Sequence, residues 1–165
     1  MILLAVVAIL PLLASADEAK FGYINTYEVM LLMPEVSQIE TYMADYNKKN
    51  REYLETMQSE LQKKAEQLEA DKATLSEAIL KVRQEEVQNM YDRLQNAYTS
   101  FQEDAQKEQQ SKLAPVKQKL QDAIDAVAKK QGLTFVFDLS SGAVIYKGEK
   151  AVDITAAVKK DLGIL

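Results

Sequence analysis

Cysteine, histidine and tryptophan are all absent from the chain. Without cysteine it can form no disulfide and offers no thiolate to a metal. Without histidine it lacks the commonest general base and the commonest zinc ligand. Glycine occurs five times and proline three times in 165 residues, and no glycine-rich run ending in Gly-Lys-Ser/Thr builds a phosphate cradle. The carboxylate pairs Glu85-Glu86 and Asp122/Asp125 fall on exposed helical faces with no dry cleft around them. Enzymatic chemistry, nucleotide hydrolysis, a metal and a cofactor are therefore not expected. Nucleic acid is not expected as a partner either. The formal net charge is -5, whereas neutralising phosphates needs a clustered excess of Lys and Arg.

What is present begins with an uncharged apolar run, Met1 to Leu13, interrupted by Pro11. It is shorter than the roughly 20 apolar residues that a spanning helix needs. Ala14-Ser15-Ala16 follows in the small-residue pattern that signal peptidase accepts, so residues 1–16 read as a signal peptide. No Lys or Arg precedes the apolar stretch, which is unusual for such a segment. An uncleaved membrane anchor is the rival reading.

From Pro34 to about Gln131 the chain has no glycine and one internal proline, Pro115. It is rich in Glu, Lys, Gln, Ala and Leu, all good helix formers. Ile39, Met43, Tyr46, Asn50, Tyr53 and Met57 step by alternating four and three residues, a heptad seam that continues through Leu61, Leu68 and Leu75. Thr74-Leu75-Ser76-Glu77 fits a capping box that starts a second helix. Apolar residues resume at Ile79, Val82, Met90, Leu94, Ala97 and Phe101, lapse over the polar stretch Gln102–Lys112, and return from Leu113 to Val127. Gly132 then suits a helix C-cap. The pattern predicts an antiparallel helical hairpin over residues 34–131 with its tip near 72–76. One continuous helix in a parallel coiled coil is the alternative. Pro115 should bend the returning helix and act as a hinge.

The flanks predict a small β head, residues 17–33 and 132–165. Lys20–Asn25 reads as a strand, and Thr26 as the cap of a short helix Tyr27–Leu32. Thr134–Asp138 and Ala143–Lys147, around Ser140-Ser141-Gly142, read as a β-hairpin, and Asp153 as the cap of a last helix. The fold class is thus α+β, mostly α. So small a core is marginal and its strand edges are open. The head is therefore expected to be oligomeric, pooling strands through Phe21, Tyr23, Phe135, Phe137, Val144 and Tyr146.

This layout resembles the Skp/OmpH family. The residues that carry the resemblance are Gly22-Tyr23-Ile24-Asn25, Leu133–Asp138, Ala143–Tyr146 and Val152–Thr155 with Val158. The arms match in length and helical character. The resemblance implies a jellyfish-like homotrimer in the periplasm. It also implies an ATP-independent holdase for unfolded outer-membrane β-barrel proteins. The chain departs from the family's basic character with a pI near 4.9, which puts attraction to membrane lipid or lipopolysaccharide in doubt. Holding many sequences calls for adaptable apolar groups on wet surfaces. Candidate client contacts are Tyr42, Met43, Tyr46, Tyr53, Met57, Met90, Tyr91, Tyr98 and Phe101. Those on the heptad pattern are equally the hairpin's own seam, whereas Tyr42 and Tyr91 lie off it. A structural coiled-coil spacer and an adaptor of the cell envelope are the rival functions.

Overall fold

The computed structural model describes residues 19–165, so the segment read as a signal peptide lies outside the described residues. Strand β1 (Phe21–Ile24) leads into α1 (Thr26–Leu32) and then the two long helices α2 (Pro34–Asp71) and α3 (Glu77–Gln131). Strand β2 (Phe135–Asp138), a 3-10 turn (Leu139–Ser141), β3 (Val152–Asp153) and α4 (Thr155–Asp161) complete the chain. At about 1.5 Å per residue, α2 is ~57 Å long and α3 is ~82 Å long. They form the expected antiparallel hairpin, not one continuous helix. The cross-links fix its register. Tyr42 donates to Glu108 at 2.9 Å, Lys64 meets Glu86 at 3.0 Å, and Arg83 meets Asp71 at 3.1 Å beside the tip.

The tip is built differently from the capping box read in the sequence. The Thr74 hydroxyl and amide both donate to the Asp71 carbonyl, at 2.8 and 2.9 Å. Thr74 therefore closes the end of α2 instead of opening α3. The second helix starts at Glu77 behind Ser76, which makes no side-chain cap. Along α2 the seam also departs from the strict heptad. Asn50 is followed by Leu54, 9% exposed, while Tyr53 is 57% exposed. Two steps of four in succession, Tyr46 to Asn50 to Leu54, are a stutter that locally unwinds the pairing. Phe101 and Ala105, both half-buried, step by four on α3 close to the same level. Tyr53 turns outward there and meets Phe101 edge-on, with ring centroids 5.8 Å apart.

The head is a three-stranded sheet in the order β2-β1-β3, with both outer strands parallel to β1. The expected hairpin between residues 134–138 and 143–147 does not form. Its turn is pre-empted by Asp138, whose carboxylate accepts from the Ser140 amide and hydroxyl and from the Thr26 amide and hydroxyl. These bonds curl the chain into a 3-10 turn pinned to α1. Residues 143–147 then pass on without strand pairing, with Ile145 99% and Tyr146 85% exposed. The place beside β1 goes to Val152–Asp153. Thr26 is correspondingly not the cap of α1, since the Asn25 side chain accepts from the Glu28 amide. Asp153 is likewise not the cap of α4, which is Ile154 without a side-chain cap; it ends β3 and accepts from the Thr155 amide at 2.9 Å. Gly132 ends α3 with φ of 64°, the left-handed conformation that favours glycine.

One face of the sheet packs on a core of Ile24, Val29, Met33, Ile154 and Val158 against Val116, Leu120, Ala123, Ile124 and Val127 of α3. The last turns of α3 are therefore arm and head core at once, which fixes the arm's direction relative to the sheet. Leu162 and Ile164 close the core's edge.

Candidate interaction surfaces

Two regions leave apolar side chains in solvent. The first is the outer face of the head sheet. Alternation along β1 sends Gly22 and Ile24 inward and Phe21 and Tyr23 outward. The parallel register places Phe135 beside Phe21 and Phe137 beside Tyr23. Phe21, Phe135 and Phe137 form a triangle of rings with centroids 6.2 to 6.3 Å apart, all exposed. A cavity of about 770 Å³ opens beside them, with Val144 and Tyr146 on its wall. Lys147 sits over the Tyr23 ring at 3.8 Å. The six head residues singled out in the sequence thus gather around one surface, although Val144 and Tyr146 reach it from an unpaired segment.

The second region is the arm. Met43 is buried in the seam, and Tyr46, Met57, Met90 and Phe101 are half-buried there, so these five serve the hairpin's own packing. Tyr42, Tyr53, Tyr91 and Tyr98 are exposed and divide between two flanks. Tyr42, Tyr53 and Lys64 are spaced by eleven residues, three turns, so they lie in line. They meet Glu108, Phe101 and Glu86 across the hairpin. Ile79 and Val82, both exposed, precede Glu86 by seven and four residues and belong to the same flank. Tyr98 lies on the other flank beside Asn47, Arg51, Gln58 and Gln102. Tyr91, seven residues before Tyr98, shares that side.

Pro115 does not interrupt α3, which runs unbroken from Glu77 to Gln131. Beside it, on the Tyr42 flank, is a groove of about 400 Å³ with Gln38, Ile39, Tyr42, Lys112, Pro115 and Val116 along it. Lys119 donates to Glu35 at its end. That hydrogen bond, then the backbone amide of Glu35 itself, hold the Glu35 carboxyl below its ordinary range against the opposing effect of burial. Its second oxygen is shut off from solvent and makes no bond to another residue. Lys112 lies over the Tyr42 ring at 4.5 Å and 3.5 Å from Glu108. The bond to Glu108 raises the Tyr42 phenol above its ordinary value. The polar stretch of α3 is therefore tied to α2 by these contacts. The groove was not legible in the sequence, because Glu35 and Lys119 are 84 residues apart and meet only once the hairpin register is known.

Among the described residues, no group of acidic side chains could hold a metal ion, and no helix is long and apolar enough to cross a membrane.

The family model described as outer membrane protein (OmpH-like) matches residues 20–162. A search of the curated proteins finds no match. Among solved structures, the chain is similar to a crystal structure from Caulobacter crescentus CB15, provisionally assigned as an OmpH-like outer membrane chaperone. The TM-score is 0.72 at 20% identity, covering 87% of this chain and 83% of that one.

Proposed function

The chain belongs to the OmpH-like outer membrane protein family, and from that premise we propose that it is a chaperone, an ATP-independent periplasmic holdase for unfolded outer-membrane β-barrel proteins. The observation that carries the reading is the state of the arm. Its tyrosines stand exposed along both flanks and Ile79 and Val82 along one, while many of its charged groups pair with one another across or along the helices. Such a surface offers apolar contact without a fixed hydrogen-bonding pattern, which suits weak binding of many sequences. The Phe21–Phe135–Phe137 face supports assembly into a homo-oligomer, in keeping with the trimer that the resemblance implies, with arms enclosing a shared space. The net charge of -5 gives no attraction to anionic lipid.

The test is dilution of a urea-unfolded outer-membrane barrel protein into buffer containing residues 17–165 without ATP, followed by light scattering. Suppression that saturates near one oligomer per client is the expected result. Undiminished scattering from folded, oligomeric protein would leave the spacer or adaptor role.

A further inference from the structure

We propose that the second flank of the arm holds client by its backbone, through an uncharged stripe of glutamine and tyrosine on α3 that hydrogen-bonds the peptide groups of an extended, unfolded segment. This rests on the holding role proposed above and assigns it a face and a chemistry. Around Tyr91 and Tyr98, steps of four and three along α3 visit only glutamine: Gln84, Gln88, Gln95, Gln102, Gln106 and Gln109. All eight side chains are exposed. The stripe runs about seven turns, roughly 38 Å, without a charge. The charged residues of the same stretch are placed elsewhere. Arg83 and Glu86 bond across to α2, and Glu103 and Asp104 pair with Lys107. Along the groove beside Tyr98, α2 presents Asn47 and Gln58, with one charge of each sign, Arg51 and Glu55.

The groups that each flank leaves free decide the occupant. On the first flank the Tyr42 hydroxyl is bound to Glu108, Lys64 to Glu86, and Tyr53 meets Phe101. On the second, Gln88 donates to Asp92 of its own helix at 2.9 Å. The other five glutamines and both tyrosines make no side-chain hydrogen bond among the described residues. A primary amide offers two donors and an acceptor, and a peptide group offers one of each. The two therefore match whatever the client's side chains are, with proline alone lacking the N–H. Tyrosine adds an apolar face with a polar edge. Without charge, the stripe does not select clients by their sign. A folded partner is a poor occupant, because its peptide groups are already paired in its own helices and sheets. The helical arm of a second copy is poor on the same ground. The stripe thus tells unfolded from folded chain by hydrogen bonding. A client that folds withdraws the groups by which it was held, so its release needs no nucleotide.

The experiment compares the double variants Gln95→Met/Gln102→Met and Asn89→Met/Asn96→Met with wild type, each as the full protein. Methionine keeps the length and helix propensity of glutamine and removes its donors and acceptor. The asparagine pair has the same spacing and is exposed on the side of α3 turned away from the stripe. Each protein is measured for suppression of light scattering by a urea-unfolded barrel protein. The glutamine pair should need at least about threefold more protein for half-suppression at unchanged helicity, the loss of two modest hydrogen bonds. The asparagine pair should need no more than wild type. Unchanged or stronger suppression by the glutamine pair would mean that apolar contact alone holds the client, and would overturn the stripe. Equal loss in both pairs would overturn it too, because the effect would not belong to one face. Either outcome leaves the holding role intact. Failure of the wild-type protein to suppress aggregation would remove the holding role and the stripe with it.

Discussion

At the residue scale, the head turns on Asp138. Burial by itself would raise its pKa, but hydrogen bonds from Thr26 and Ser140, side chain and backbone, outweigh burial and hold it below its ordinary value of 3.8. A lowered folded-state pKa means stability that is present above the ordinary value and lost as pH falls through the folded one. Asp153 acts in the same sense, again against burial, through Thr155 and Tyr23. The head should therefore hold constant stability from neutrality down to about pH 4 and weaken below it. Asp138→Asn removes the charge that four donors converge on. It should cost about 1–2 kcal/mol at pH 7, the usual scale for a charge-assisted bond that is partly solvated. It should also flatten the acid limb of a urea-melt series between pH 7 and 3. An acid limb as steep as in wild type would assign the loss to other carboxylates. None of this was legible in the sequence. Asp138 looked like the end of a hairpin strand, and the bond to Thr26 spans 112 residues.

At the element scale, the hairpin arm was largely legible because its signal is repetitive. Glycine-free sequence, helix-forming composition and apolar residues at threes and fours all point the same way over residues 34–131. Where one position decides, the pattern failed. Tyr53 continued the heptad and Leu54 did not, yet Leu54 fills the seam, because a step of four costs little local unwinding and keeps a tyrosine hydroxyl in water. The tip failed for a similar reason, since a threonine can serve the helix before it or the one after. Strand pairing was hardest to read. Residues 143–147 have the composition of a strand, but β-propensity describes a surface that accepts a partner, and here Val152–Asp153 takes the edge of β1. Pro115 is the element's clearest defect. It gives up a backbone hydrogen bond inside a continuous helix. Pro115→Ala should restore that bond, raise stability by about 1–3 kcal/mol, and slow amide exchange around residues 111–119. Unchanged exchange there would mean that the root of the arm is already rigid, held by the ties of Glu35 and Tyr42 to α3, and would end its reading as a hinge.

At the scale of the whole molecule, the question is what covers the head. The described monomer buries one face of a three-stranded sheet and leaves three phenylalanines stacked on the other. An aromatic triangle of that kind in water is unfavourable at roughly 25 cal/mol per Å² of apolar surface left exposed. The adjoining segment 143–147 exposes Ile145 and Tyr146 as well. A monomer would carry that surface as an aggregation hazard, whereas a closed oligomer removes it. The arm is independent of this surface, because α3 is rooted on the opposite face of the sheet through Val116, Leu120, Ile124 and Val127. The two proposed roles, assembly and holding, can therefore be separated by mutation. Phe135→Asp puts a carboxylate in the middle of the aromatic face without touching the core. It should convert the proposed oligomer to monomer in sedimentation velocity while far-UV circular dichroism keeps its helical signal. If aggregation suppression needs several arms around one client, the monomer should lose most of it at equal chain concentration. Full suppression by a monomeric Phe135→Asp protein would mean that single arms hold clients and that the enclosed space contributes nothing.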